Sequence, residues 1–175
     1  MRLTIKILLL TFLIFPFISC NNPKDESTAN QQQEKKIDIQ DGDFKLALQE
    51  INRVLDKAVL DGDYETILKY YTDDVILMPI FEPAINGKDA LREEYKKDKK
   101  TGVKYHAFNA KPEKMWACGN EVFEYGKFGL AVSSNETEYP YAFFGSYFAI
   151  WDKQSDNSYL IKYMISNLDH KPYKL

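Results

Sequence analysis

Cysteine and histidine are nearly absent from this chain of 175 residues: Cys20 and Cys118, His106 and His170 are all it has. No zinc-ligand spacing can be assembled from them, and neither a phosphate-cradling glycine loop nor a G-x-S-x-G nucleophile elbow occurs. Excess base is lacking too. The formal net charge is −3, so there is no basic footprint for nucleic acid. No metal and no cofactor is implied. No apolar run reaches the roughly 20 residues that span a bilayer as a helix, and no internal repeat is visible.

What is present begins with the N-terminus. Arg2 and Lys6 precede the apolar stretch Ile7-Leu8-Leu9-Leu10-Thr11-Phe12-Leu13-Ile14-Phe15-Pro16-Phe17-Ile18, and Ser19-Cys20 then gives way to Asn21-Asn22-Pro23-Lys24-Asp25-Glu26. A basic start, a short apolar core and a small residue at the cut site form the grammar of an export signal. A buried core helix is the alternative, against which stand Pro16 and the polar cliff after Cys20. Phe17-Ile18-Ser19-Cys20 resembles the bacterial lipobox, with Phe17 where Leu is usual. That resemblance implies a signal over 1–19 and a lipid on Cys20. Each buried CH₂ of such a lipid adds about 0.8 kcal/mol of membrane affinity, and two chains anchor where one does not. Export would also permit a Cys20–Cys118 disulfide. A lipidated Cys20 with Cys118 as a buried small side chain is the simpler reading.

Removing residues 1–19 takes away two positive charges, Arg2 and Lys6, and moves the net charge from −3 to −5. Residues 20–41 then form a polar tether too poor in apolar side chains to fold, with a random-coil reach of about 25 Å. Within it, Lys24-Asp25-Glu26 resembles the Lys-plus-acidic signal that sends some Bacteroidetes lipoproteins to the cell surface; a merely soluble linker fits equally well. The expected location is the bacterial cell envelope, lipid-anchored at the outer membrane, either periplasmic or surface-exposed.

Residues 42–175 are expected to form one domain. Phe44, Ala47, Leu48, Ile51, Val54, Leu55, Ala58 and Val59 recur at helical spacing, with Asn52, Asp56 and other polar residues between them. Asp41 or Asp43 can open this helix and Gly62 can close it. Asp63 caps a second helix over 64–71, which Asp73-Asp74 breaks before an apolar segment at 75–78. A third helix is expected over 88–100. Its Lys96-Lys97-Asp98-Lys99-Lys100 end reads as a solvated helix terminus. Strands are expected at about 103–109, 113–118, 121–132, 139–153 and 158–168. Helices followed by a run of strands mean α+β with an antiparallel sheet. The strand at 139–153 is apolar on both faces, so its outer face is expected to meet a second copy of the chain.

Gly62-Asp63-Tyr64 … Tyr70-Tyr71-Thr72-Asp73-Asp74-Val75-Ile76-Leu77-Met78-Pro79 … Asn86-Gly87-Lys88-Asp89-Ala90-Leu91, followed by Gly145-Ser146-Tyr147-Phe148-Ala149-Ile150-Trp151-Asp152-Lys153, resembles the nuclear-transport-factor-2-like superfamily. Its SnoaL-like, ketosteroid-isomerase-like branch is the nearest in flavour. The resemblance covers about residues 43–168. It implies a cone, a curved antiparallel sheet wrapped around a long N-terminal helix with a pocket at the open end, and a homodimer through the outer sheet face. Activity does not follow from fold. The branch's general-base Asp falls at Pro79, its oxyanion Tyr near Leu55, and its neutral acid near Gly145 or Ser146. None of these can do that isomerase's proton transfer.

The pocket walls are expected to be Ile51, Leu55, Met78, Phe81, Trp116, Tyr147 and Tyr163. They come from the helix face, the strand end before the loop, and an assumed inward parity of the last strands. Glu124 and His106 are the acid–base candidates, with a rim carboxylate and a structural histidine as the plainer alternatives. A non-catalytic envelope module binding a small apolar or amphipathic ligand is the leading reading. The rivals are a SnoaL-like isomerase, cyclase or hydrolase, and a protein-interaction module with a filled pocket. An inward Glu124 in reach of a second polar group would favour the enzyme. Metabolic labelling with a fatty-acid analogue should tag the wild type and not Cys20→Ser; equal labelling of both would remove the lipid reading.

Overall fold

The computed structural model describes residues 43–175. The signal at 1–19, Cys20 and the tether at 20–41 lie outside the described residues. From Asp43 the chain runs as α1 (Asp43–Asp61), α2 (Tyr64–Leu68), β1 (Tyr71–Met78), β2 (Ile85–Asn86), α3 (Lys88–Thr101), β3 (Lys104–Cys118), β4 (Glu121–Ser133), β5 (Tyr141–Lys153), β6 (Tyr159–Leu168) and β7 (Tyr173–Lys174). The architecture is α+β, with a curved seven-stranded sheet in the order β2-β1-β6-β5-β4-β3 and β7 added beside β5.

α1 buries Phe44, Leu48 and Ala58. It ends at Gly62, whose φ of 66° is the left-handed conformation that glycine adopts without a Cβ clash. Asp63 then caps α2: its Oδ1 accepts from the Thr66 backbone N–H at 3.1 Å. α2 is shorter than expected. The Ile161 N–H donates to the Tyr70 carbonyl at 2.7 Å, and this pairing pulls Tyr71 into a strand. Asp73 and Asp74 are therefore exposed residues within β1 rather than a break before it, and Asp73 is paired with Lys88 at 2.8 Å.

The sheet departs from the expected pattern in two ways. β1 pairs with β6 in parallel, while the other pairs are antiparallel. β3 is one strand of 15 residues, where two had been expected, because register shifts between Tyr105 and Ala107 and between Pro112 and Lys114 let it bend without stopping. Bulges of this kind curve the sheet and re-aim side chains.

One face of the sheet carries the core: Val122 and Phe128 of β4, Tyr147, Ala149 and Trp151 of β5, and Ile161 of β6, packed with Phe44 and Leu48 of α1. The other face carries a second aromatic group. Trp116 stacks on Phe123 with centroids 5.5 Å apart, and both lie near Phe148. Trp116 and Ile165 are each 44 % exposed there. Cys118 is exposed at the end of β3 and not buried as expected, because β3 ends at that residue. No helix among the described residues is long and apolar enough to cross a membrane.

Candidate functional site

Three elements converge on one side chain inside the cone. Glu124 lies on the inward face of β4 between Val122 and Phe128 and is 0 % exposed. Across the ladder, Gly126 is opposite Tyr147 and Glu124 is opposite Ala149. A Cβ on Gly126 would lie 2.6 Å from the Tyr147 ring and 2.6 Å from the Lys111 carbonyl oxygen. Only a glycine leaves room there for the tyrosine to lie along the sheet and reach its diagonal neighbour. The Tyr147 hydroxyl then donates to Glu124 Oε1 at 2.5 Å. From α1, the Asn52 amide approaches Oε1 at 3.2 Å and Oε2 at 3.3 Å. The Trp151 indole N–H comes close enough to favour the ionised carboxylate without meeting hydrogen-bond geometry.

Burial pushes the Glu124 carboxyl above the usual range, and Tyr147, Asn52 and Trp151 pull it back only in part. The Tyr147 hydroxyl is itself raised, first by burial and then by the charges of Glu124 and Asp56. Glu124 faces a cavity of about 90 Å³, with Asn52, Asp56, Tyr147 and Trp151 also among its lining. Asp56 stands one turn beyond Asn52 on the same face of α1. Its Oδ1 has no hydrogen-bond partner among the described residues. Burial raises the Asp56 pKa, and the Ala110 backbone N–H opposes the rise. At the other end, the buried Tyr71 hydroxyl is pushed up to about 12 by burial and hydrogen-bonded to Tyr95. Tyr95 also lines a larger groove, of about 730 Å³, between the segment at 79–87, α3 and the start of β3.

Of the expected walls, Leu55 and Tyr147 line the cavity. Ile51 packs against the core beside it. The other four point elsewhere. Trp116 is on the outer face with Phe123 and Phe148. Tyr163 is opposite Ile150, and Met78 is opposite the exposed Ile165, so both lie on that outer side. Phe81 is 79 % exposed in the loop after β1, at a φ of 65°. The bulges in β3 and between β5 and β6 changed a parity that the sequence could not show.

Pro79 follows β1 at a half-buried position, and Gly145 is packed against the Asn167 carbonyl and the Phe128 ring. Ser146 faces outward, where its hydroxyl accepts from Lys127 Nζ and donates to Asp169. His106 is exposed, with Nε2 2.8 Å from the Ser133 hydroxyl, and His170 clusters with Phe144 and Tyr173. Neither histidine lines the cavity. Among the described residues, no three His, Cys, Asp or Glu side chains stand close enough to hold a metal. Sequence reading missed Asn52 and Asp56, which sit among the outward polar residues of α1 by composition. Their only signal was position: 48, 52, 56 and 59 make a helical stripe.

A Glu124→Gln substitution tests the electrostatics of the site. A carboxyl raised in the folded state keeps its proton to a higher pH than it does unfolded, so its stabilisation is full at low pH and is lost as pH rises through the folded value. The wild type should therefore lose stability relative to Glu124→Gln as pH climbs from about 4, by at most ~1.4 kcal/mol per pH unit, and the gap should then level off. Urea unfolding midpoints across that range measure it. A pH-independent gap would mean that Glu124 titrates as an ordinary exposed acid.

No family model matches the chain, and no curated protein matches it. Solved structures do. A ketosteroid isomerase-like protein from Erwinia carotovora atroseptica SCRI1043 aligns over 74 % of this chain and 99 % of its own, at 19 % identity and a TM-score of 0.63. An NTF2-like protein from Cytophaga hutchinsonii ATCC 33406 aligns over 73 % and 98 %, at 12 % identity and 0.58. A protein of unknown function with a cystatin-like fold from Nostoc punctiforme PCC 73102 aligns over 71 % and 90 %, at 17 % identity and 0.55. At these identities the likeness is one of fold.

Proposed function

We propose that this chain, which has the nuclear-transport-factor-2-like fold, is a lipid-anchored protein of the bacterial cell envelope whose cone interior binds a small, largely apolar molecule with one polar end. The observation that carries the reading is Glu124, buried at the wall of an apolar cavity and fixed in place by Tyr147 and Asn52. A pocket with mostly apolar walls and one oriented polar group suits an amphipathic ligand. The anchor rests on the sequence around Cys20.

A homodimer through the outer sheet face belongs to the same proposal. Trp116, Phe123, Phe148 and Ile165 give that face an apolar surface for a second copy to cover. Sedimentation at micromolar concentration should report a dimer that Phe148→Asp converts to monomer. A wild-type monomer would leave the patch to another partner.

A proton-transfer enzyme is the second reading, favoured by the short Tyr147–Glu124 contact and the raised Glu124 pKa. The inward Glu124 in reach of Tyr147 meets the condition set above for an enzyme; binding is still preferred because both Glu124 oxygens already accept hydrogen bonds, which blunts the acid as a base. The familiar isomerase positions also hold Leu55, Pro79 and Gly145 or Ser146. Native mass spectrometry of the full chain from its host should show a bound small molecule that the cavity-filling Ala149→Phe variant lacks. If no molecule is bound, and the protein instead exchanges the α-protons of cyclopentanone for deuterium in a Glu124-dependent way, the enzyme reading replaces it.

A further inference from the structure

The cavity carries two carboxylates and no basic residue. Glu124 and Asp56 both line it, and no Lys, Arg or His side chain does so among the described residues. The groups given to Glu124 are all neutral dipoles: the Tyr147 hydroxyl, the Asn52 amide and the nearby Trp151 indole. Asp56 has only the Ala110 backbone N–H to favour its charge, and one of its oxygens is unpartnered. Donors aimed at a carboxylate hold it as an acceptor. They do not neutralise it, and a buried acid without a counter-charge is costly to ionise.

Aromatic rings stand among the aliphatic Leu55, Val59, Ile67, Ile161 and Met164 in the remaining lining. Tyr71, Phe108, Tyr147 and Trp151 surround the same space. Rings and carboxylates together are the surroundings that favour an alkylammonium, whose charge is attracted to both. One neighbouring groove carries the same sign. Of two grooves that share Tyr95 with the cavity, the one between 79–87, α3 and β3 holds Glu82, Glu94 and Asp98 against a single lysine, Lys97, while the one between α2 and α3 holds Asp63 and Glu65 with Arg92, Lys96 and Lys99. Lys97 is already paired with Glu94 at 2.6 Å. A negative groove draws cations toward its mouth.

We propose that the polar end received in this pocket is a small organic ammonium group, with Glu124 and Asp56 as its counter-charges and the surrounding rings as its apolar cage. The inference rests on the cone interior being a ligand site and names the chemical class of that ligand. At about 90 Å³, the cavity is smaller than the roughly 150 Å³ that holds benzene in an engineered apolar site. It therefore suits a head group the size of ethylammonium, with any tail extending past Tyr95.

The test compares ethylamine, which is protonated throughout the range used, with its neutral isostere ethanol. Binding to the full chain is followed by ligand-detected NMR in amine-free buffer from pH 5 to pH 8. The ammonium should bind at least tenfold more tightly than the alcohol. Its affinity should rise with pH, because it competes with the protons on Glu124 and Asp56; Tyr147, Tyr71 and Tyr95, the other titratable groups at the cavity, stay protonated there. Glu124→Gln should weaken the amine at least tenfold and leave the alcohol within twofold. Asp56→Asn, at a half-buried position where folding is less at risk, should weaken the amine several-fold. If the alcohol binds as well as the amine, with no rise with pH, the ammonium assignment is overturned and the pocket stands. If neither binds, and Ala149→Phe leaves the melting temperature unchanged or higher, the ligand-site reading falls with it.

Discussion

An ionisable group held inside an apolar cone without an opposite charge is the constraint around which this molecule is arranged. Left bare, Glu124 would cost several kcal/mol to bury as an anion. Three elements reduce that cost together. β4 places the carboxylate, β5 brings the Tyr147 hydroxyl across the ladder, and α1 turns Asn52 toward it. Each contribution depends on a residue that does no chemistry. Gly126 supplies the empty space over which the Tyr147 ring lies, and Leu48 seats α1 so that the residue one turn later points inward. The site is a product of packing as much as of the groups that form it.

How much of this could be read from the sequence depended on which symmetry carried the information. Helical spacing placed α1 and α3 nearly to the residue, because an amphipathic stripe over many turns is redundant. β4, β5 and β6 were visible from their β-branched and aromatic density, while β3 was read as two strands where the structure has one. What could not be read was parity. A strand shows which residues alternate but not which set points in, and every bulge inverts the answer beyond it. Trp116 follows the shift at Pro112–Lys114 in β3 and so lies outside. Tyr163 lies outside because a register shift separates Ile150 from Trp151. Tyr147 and Leu55 face the cavity because no bulge intervenes before Tyr147 in β5 and the helix has none to offer. Asn52 and Asp56 were hidden for another reason: the ordinary meaning of a polar residue on an amphipathic helix is solvent.

The fold gives these observations a frame without assigning a role. Proteins that match it at 12–19 % identity share a cone, and a shared cone is compatible with isomerase chemistry, with binding, or with neither. The discriminating facts are therefore local. At the counts where an isomerase would keep its working groups this chain has Leu55, Pro79, and Gly145 or Ser146, and the structure accounts for what stands there. Gly145 is required by the Asn167 carbonyl and the Phe128 ring. Ser146 faces outward into a surface network with Lys127 and Asp169. An acid is present in the interior on β4, with Tyr147 and Asn52 as its partners.

Charge placement separates the interior from the surface more sharply than composition does. Among the described residues, surface basic side chains pair with acids: Lys127 with Asp169 at 3.1 Å, Lys88 with Asp73 at 2.8 Å, Lys96 and Lys97 with the glutamates one turn before them. Exposed pairs of this kind contribute little to stability. Inside the cone, where a counter-charge would matter most, none is supplied by the described residues, and dipoles of a hydroxyl, an amide and an indole stand in its place. A lysine reaching into the cavity would neutralise Glu124 and fill the space in one step. Its absence leaves a site that is both open and short of one positive charge, and a molecule able to enter would be selected by that deficit as much as by the shape of the walls.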